Sequence, residues 1–150
     1  MTIDIAIMGD SLTVDRNARN WPFLLEKILQ TGRSQKVRTC TFGHEGQSSN
    51  WGLANLSPVL KQKPQIAMIG FINDANPGAI SLATSASNTN AMIGQIRAAS
   101  PSTKIYLVTV AKPTDAAASV SFPNLSALDT QLASIATAQG TGFIDCRAVW

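Results

Sequence analysis

Ile3-Asp4-Ile5-Ala6-Ile7-Met8-Gly9-Asp10-Ser11-Leu12 opens the chain with an apolar, β-branched run that stops at a glycine and passes straight into a polar turn. A short run bounded in this way reads as a buried strand over residues 3–8. The same reading applies to residues 37–42, 65–72, 104–110 and 142–145. Helical spacings lie between them. Asn20-Trp21-Pro22 reads as a helix start, with Asn20 as N-cap and Pro22 in the first turn. Trp21, Leu24, Leu25, Ile28 and Leu29 follow at helical spacing, and Gly32 supplies the stop. Residues 50–60 carry Leu53, Leu56 and Leu60 and read as a second helix. Met92, Ile93 and Ile96 make the second half of residues 77–100 helical. Asn124 reads as the cap of a last helix, with Leu125, Leu128, Leu132 and Ile135 inward and Gly140 as its stop.

Strict alternation of apolar strands and helices implies a parallel sheet covered on both faces, an α/β protein of three layers, α/β/α. Right-handed crossovers make the sheet open and doubly wound. Ligands then bind beyond the carboxyl ends of the strands, where the strand order reverses. That rule selects three loops: residues 9–15, 43–49 and 73–78.

Composition removes several classes. At 150 residues the chain is expected to form a single domain, residues 1–150. Its 45% hydrophobic content argues against disorder. Two cysteines, Cys40 and Cys146, do not make a disulfide scaffold and read as inert thiols. The one histidine, His44, stands outside any metal-ligand spacing, so no metal or organic cofactor is expected. The longest uncharged stretch, residues 75–96, holds Asn76, Pro77, Ser81, Ser85, Asn88 and Asn90, which is too polar to span a bilayer. Asp4 stands where a signal peptide wants basic residues, so the expectation is a cytoplasmic protein by default. The net charge is +3, and six of the twelve basic residues fall between Arg16 and Arg38. Aromatic residues and glycines do not interleave with them as on a nucleic-acid surface, so they read as a solvated helix face and turn.

The three loops carry a consistent chemistry. Ser11 stands directly after a strand and a glycine, as a nucleophile can, with unpaired backbone N–H groups beyond it. The second loop, Gly43-His44-Glu45-Gly46-Gln47-Ser48, has two glycines three apart, which let a bound group approach the backbone closely. The third strand ends in Asn73-Asp74, and an asparagine there can aim amide N–H donors into the same crevice. A serine, a glycine N–H and an asparagine amide on three strand ends make acyl transfer the expected chemistry. Asp10 and Asp74 read as carboxylates that hold their turns through backbone hydrogen bonds.

These residues resemble the SGNH, or GDSL, hydrolases, a family of esterases and lipases. Gly9-Asp10-Ser11-Leu12 is similar to the first block, Gly46 to the glycine of the second, and Asn73-Asp74 to the Gly-x-Asn-Asp of the third. Residues 93–110, with Arg97 and Pro101, resemble the helix–strand region that follows. The resemblance covers nearly the whole chain. It implies a flavodoxin-like parallel sheet of five strands in the order 2-1-3-4-5. It also implies Ser11 as nucleophile, with the oxyanion held by the Ser11 N–H, the Gly46 N–H and the Asn73 side chain. A small-molecule or glycan ester is the implied substrate.

Two departures matter. Gly70-Phe71-Ile72-Asn73 puts the glycine one residue further from the asparagine, and Phe71 is placed to narrow the pocket. The last block, Asp-x-x-His, does not occur before the chain stops at Arg147-Ala148-Val149-Trp150. The expectation is therefore a domain truncated at its C-terminal end, with the base histidine missing from this chain. His44 is the internal substitute to consider, and Asp145 reads as a structural carboxylate rather than its partner. Two rivals stay open: a catalytically inactive binding module on the same fold, and a cofactor or signalling domain that shares only the sheet.

Overall fold

A computed structural model describes residues 2–14, 21–109 and 120–146. Strand β1 (Thr2–Gly9) lies between β2 (Lys36–Gly43) and β3 (Ile66–Gly70), and β4 (Lys104–Val108) and β5 (Gly142–Ile144) continue the sheet beyond β3. All neighbours are parallel and the order is β2-β1-β3-β4-β5, as expected. Residues 5–8 of β1 are buried on both faces of the sheet, so the strand reads as a continuous apolar run rather than an alternating one. Ile5 and Ile7 face one layer with Val37, Met68 and Val108. Ala6 and Met8 face the other with Ala67, Ile69, Ile105 and Leu107.

The helices distribute by the handedness of their crossovers. The chain steps from β1 to β2 in one direction and from β2 onward in the other, so right-handed connections place the first helix on one face and the rest on the opposite one. Helix α1 (Trp21–Gln30) packs Leu25 and Leu29 against the first face. Helices α2 (Ser49–Ala54), α3 (Ser57–Gln62), α4 (Leu82–Ala99) and α5 (Leu125–Gln139) cover the second, with Leu56, Val59, Met92, Ile93, Leu128 and Ile135 in its core.

Several elements differ from their sequence reading. The helix expected over residues 50–60 is two short helices, with Asn55 closing the first through an N–H bond to the Trp51 carbonyl. Pro58 has no N–H to donate back one turn, so the helix restarts with the proline in its first turn. Helix α4 fills residues 82–99 rather than only their second half. Ser81 caps it by accepting from the Thr84 N–H, and its inward side carries Ser85, Asn88 and Thr89. Asn124 precedes α5 as expected, yet its side chain makes no capping bond; its backbone N–H donates to the Ala75 carbonyl. Gly140 ends α5 in the left-handed conformation. Strand β3 stops at Gly70, two residues early, because Ile72–Ala75 turn into a short 3-10 helix. On α1 the stripe is only partly covered: Leu24 is 51% and Ile28 70% exposed. Cys40 is half-buried on the edge strand β2 rather than in the core. Asn20, Val110 and the segment from Arg147 to Trp150 lie outside the described residues.

Candidate active site

A row of three glycines forms the floor of the site. Gly9 stands opposite Gly43 on β2 and opposite Gly70 on β3, so these three adjacent strands all end in glycine at one level. Of these strands β2 is the sheet edge and β1 and β3 are interior. A Cβ at Gly9 would meet the Thr13 side chain and lie 2.6 Å from the Gly70 carbonyl oxygen. At Gly43 it would lie 2.9 Å from the Asp10 carbonyl oxygen, and at Gly70 2.6 Å from that of Val108. The bare floor lets the first loop fold back over the strand ends. Gly9→Ala is expected to lower stability by about 1–3 kcal/mol through overpacking against backbone that cannot yield. Urea unfolding measures it, and an unchanged midpoint would contradict the tight floor.

Ser11 sits at the tip of the turn that follows β1. The Thr13 N–H closes that turn on the Asp10 carbonyl at 3.0 Å, and the Leu12 N–H donates to Asp10 Oδ1 at 3.1 Å. Ser11 is exposed, and its hydroxyl makes no hydrogen bond among the described residues. It stands at the edge of a cavity of about 480 Å³ whose other walls include Leu12, Val14, Trp21, Met68 and Val108.

The loop after β2 comes alongside. The His44 N–H donates to the Gly9 carbonyl at 3.3 Å, which ties this loop to the end of β1. Gly46 has φ +65°, a conformation that L side chains rarely adopt, and nothing among the described residues stands within 4 Å of where its Cβ would be. The turn after β3 brings Asn73, half-buried, whose Nδ2 donates to the Gln47 carbonyl at 2.9 Å. That bond directs the amide nitrogen, not its oxygen, toward the second loop. Ser11, Gly46 and Asn73 thus stand beyond the ends of three adjacent strands, β1, β2 and β3.

Two buried carboxylates hold the loops together. Asp10 is fully buried, and its Oδ2 accepts the Ile72 and Asn73 N–H groups of the third loop. Asp74 is 2% exposed; its Oδ1 accepts the Ser49 N–H at 2.8 Å and its Oδ2 accepts the Ser85 hydroxyl at 2.6 Å. The expected turn-holding role is therefore wider: each carboxylate bridges separate loops. Burial raises both pKa values above the ordinary carboxylate value, against the lowering effect of the hydrogen bonds each accepts. A raised folded pKa means that the folded state holds the proton more tightly than the unfolded chain. The stability this adds is complete below the unfolded pKa and is lost as pH rises through the folded one. Urea titrations of wild type and Asp10→Asn across that window should show wild type gaining on the variant as pH falls. A constant difference would contradict the shift.

His44 does not reach Ser11 with a hydrogen bond among the described residues. It is exposed, its Nδ1 lies 3.1 Å from the Glu45 carbonyl oxygen, and its ring is 5.5 Å from that of Trp51. Phe71 is 5% exposed and packs beneath α2 in the contact that Gly52 makes possible, so it supports the core rather than narrowing the pocket. Asp145 accepts from Thr109 Oγ1 at 3.1 Å, a structural contact at the end of β5. Cys146 lines the cavity, with its N–H donating to Thr109 Oγ1 at 2.8 Å, and burial pushes its thiol pKa up. Among the described residues no group of three or more His, Cys, Asp or Glu could hold a metal ion, and no helix is long and apolar enough to cross a membrane. Sequence reasoning missed the polar cluster of Ser49, Asp74, Ser85 and Asn88. Its signal was the spacing of Ser81, Ser85, Asn88 and Thr89, a polar stripe at helical period.

A three-layer fold with a serine turn, a glycine loop and an asparagine turn at adjacent strand ends defines a class of α/β acyl hydrolases. The model of the GDSL-like lipase/acylhydrolase family matches residues 7–150, and the chain belongs to that family. No curated protein matches it. Among solved structures, the lipase/acylhydrolase from Enterococcus faecalis superposes with a TM-score of 0.82 at 24% identity, over 98% of this chain and 77% of that one. A catalytic mutant of an acetylxylan esterase from Geobacillus stearothermophilus gives 0.79 at 17% identity, over 97% and 77%. The psychrotrophic esterase EstA from a Pseudoalteromonas species gives 0.73 at 18%, over 95% and 76%. At these identities the superpositions establish a shared fold.

Proposed function

We propose that the protein is a serine ester hydrolase that works through an acyl-enzyme on Ser11. The observation that carries this reading is an exposed serine hydroxyl at the end of β1, without a hydrogen bond among the described residues, with Gly46 and Asn73 on the loops to either side. Family membership supports hydrolysis of esters at the coarse level. Ser11 Oγ attacks the ester carbonyl carbon while a base takes its proton. The carbonyl oxygen becomes an oxyanion, which the Ser11 and Gly46 N–H groups and Asn73 Nδ2 stabilise. Collapse breaks the bond to the alcohol, which leaves with the proton, and water then repeats the sequence on the acyl-enzyme. Small-molecule and glycan esters are the proposed substrates. His44 is turned to Glu45 and Trp51 and makes no hydrogen bond to Ser11 among the described residues, so the proposed base is a group other than His44.

A fluorophosphonate probe tests the reading, with the full-length protein as the sample and peptide mapping as the readout. Label on the peptide that contains Ser11 is expected. Folded full-length protein without label there would leave a non-catalytic binding module instead.

A further inference from the structure

The geometry points to Asp74 as a positioning residue for the oxyanion donors, one that acts as a hydrogen-bond acceptor rather than as a charge. This rests on the serine hydrolase reading above and assigns a role to a buried group that the chemistry itself does not use.

Asp74 is adjacent to Asn73, and the two residues grip the same stretch of the second loop. Asn73 Nδ2 donates to the Gln47 carbonyl at 2.9 Å, and the Ser49 N–H donates to Asp74 Oδ1 at 2.8 Å. Gln47 and Ser49 immediately follow Gly46, so these bonds set where the Gly46 N–H stands relative to the Asn73 amide. Helix α4 backs the grip. Ser85 donates to Asp74 Oδ2 at 2.6 Å, and Asn88, one turn on, donates to Ser49 Oγ at 3.1 Å and to Asn50 Oδ1 at 2.7 Å. Asp74, Ser49, Ser85 and Asn88 are all buried, with Ser49 and Ser85 at 0% exposure, so water cannot substitute for a lost partner. The first loop joins the same frame, because Asp10, the neighbour of Ser11, accepts the Ile72 and Asn73 N–H groups. Nucleophile and donors are thereby registered to one another by side chains that never meet the substrate. Oxyanion donors work only when preorganised, and a misplacement of about 1 Å costs on the order of 10²-fold in rate.

What the grip needs from residue 74 is an acceptor for Ser49 and a partner for Ser85. An asparagine supplies both, since its carbonyl accepts from the Ser49 N–H and its amide can donate to a rotated Ser85 hydroxyl. Burial already works against the ionised form of Asp74, which agrees with a role that does not require the charge.

Full-length wild type, Asp74→Ala, Asp74→Asn and Ser85→Ala are compared in hydrolysis of p-nitrophenyl acetate and in the rate of fluorophosphonate labelling at Ser11. Asp74→Ala should lose about 10²-fold in kcat and in labelling rate with KM within about threefold. Asp74→Asn should recover to within about threefold of wild type. Ser85→Ala, a mild change that favours the helix, should lose several-fold in kcat with KM unchanged, and it decides the matter if Asp74→Ala does not fold. The role is overturned if Asp74→Ala or, failing that, Ser85→Ala matches wild type. It is equally overturned if Asp74→Asn is as slow as Asp74→Ala, since charge would then be the requirement. A wild type that takes no label at Ser11 would instead defeat the hydrolase reading, and this role with it.

Discussion

Ser11→Ala is expected to lower ester hydrolysis by the full-length protein on the order of 10⁶-fold, the loss typical when the nucleophile of a serine hydrolase unit is removed. Thermal stability should stay within experimental error of wild type. The reason is local. Ser11 is exposed at a turn whose two closing bonds come from the backbone of Thr13 and the side chain of Asp10, so the hydroxyl supports no part of the fold. Steady-state rates with a p-nitrophenyl ester, read beside a melting curve, separate the two effects. A variant that keeps a tenth or more of wild-type activity would move the nucleophile elsewhere.

Asn73→Ala should cost about 10²–10³-fold in kcat, with KM nearly unchanged, because the role proposed for the amide is to stabilise the charge that develops in the transition state and not the neutral substrate. Asn73→Asp should be worse. It replaces an N–H donor by a carboxylate and sets that charge against the Gln47 carbonyl, which now receives the Asn73 amide at 2.9 Å. The backbone N–H of residue 73 still reaches Asp10 in both variants, so the turn after β3 should hold. If kcat is unchanged and KM rises instead, Asn73 contributes to ground-state binding alone.

The strands and the three loops were legible in the sequence for the same reason. A strand stretch buried on both faces of a parallel sheet reads as a continuous apolar run, and residues 5–8 of β1, 66–69 of β3 and 105–108 of β4 announce themselves in that way. β1, β2 and β3 each end in a glycine that leads into its loop, so the sequence alone puts Ser11, Gly46 and Asn73 on loops at one end of the sheet. The parts that misled have physical causes as well. Leu53, Leu56 and Leu60 fit one helical face, and spacing alone does not reveal that Pro58 resets the helix. The first half of α4 buries Ser85, Asn88 and Thr89, so a search for apolar periodicity passes over it. Its inward face is polar because it meets Asp74 and Ser49, which is a fact of tertiary contact rather than of local preference. On α1 the apolar spacing gave the stripe correctly, but Ile28 at 70% exposure shows that spacing does not report how much of a stripe is covered.

The most direct test is the crystal structure of the full-length protein carrying a phosphonate adduct. The phosphorus should be bonded to Ser11 Oγ, with its phosphoryl oxygen about 2.7–3.1 Å from the Ser11 N, the Gly46 N and Asn73 Nδ2 together. An adduct on another residue, or a phosphoryl oxygen that points to solvent and meets neither Gly46 nor Asn73, would contradict the account.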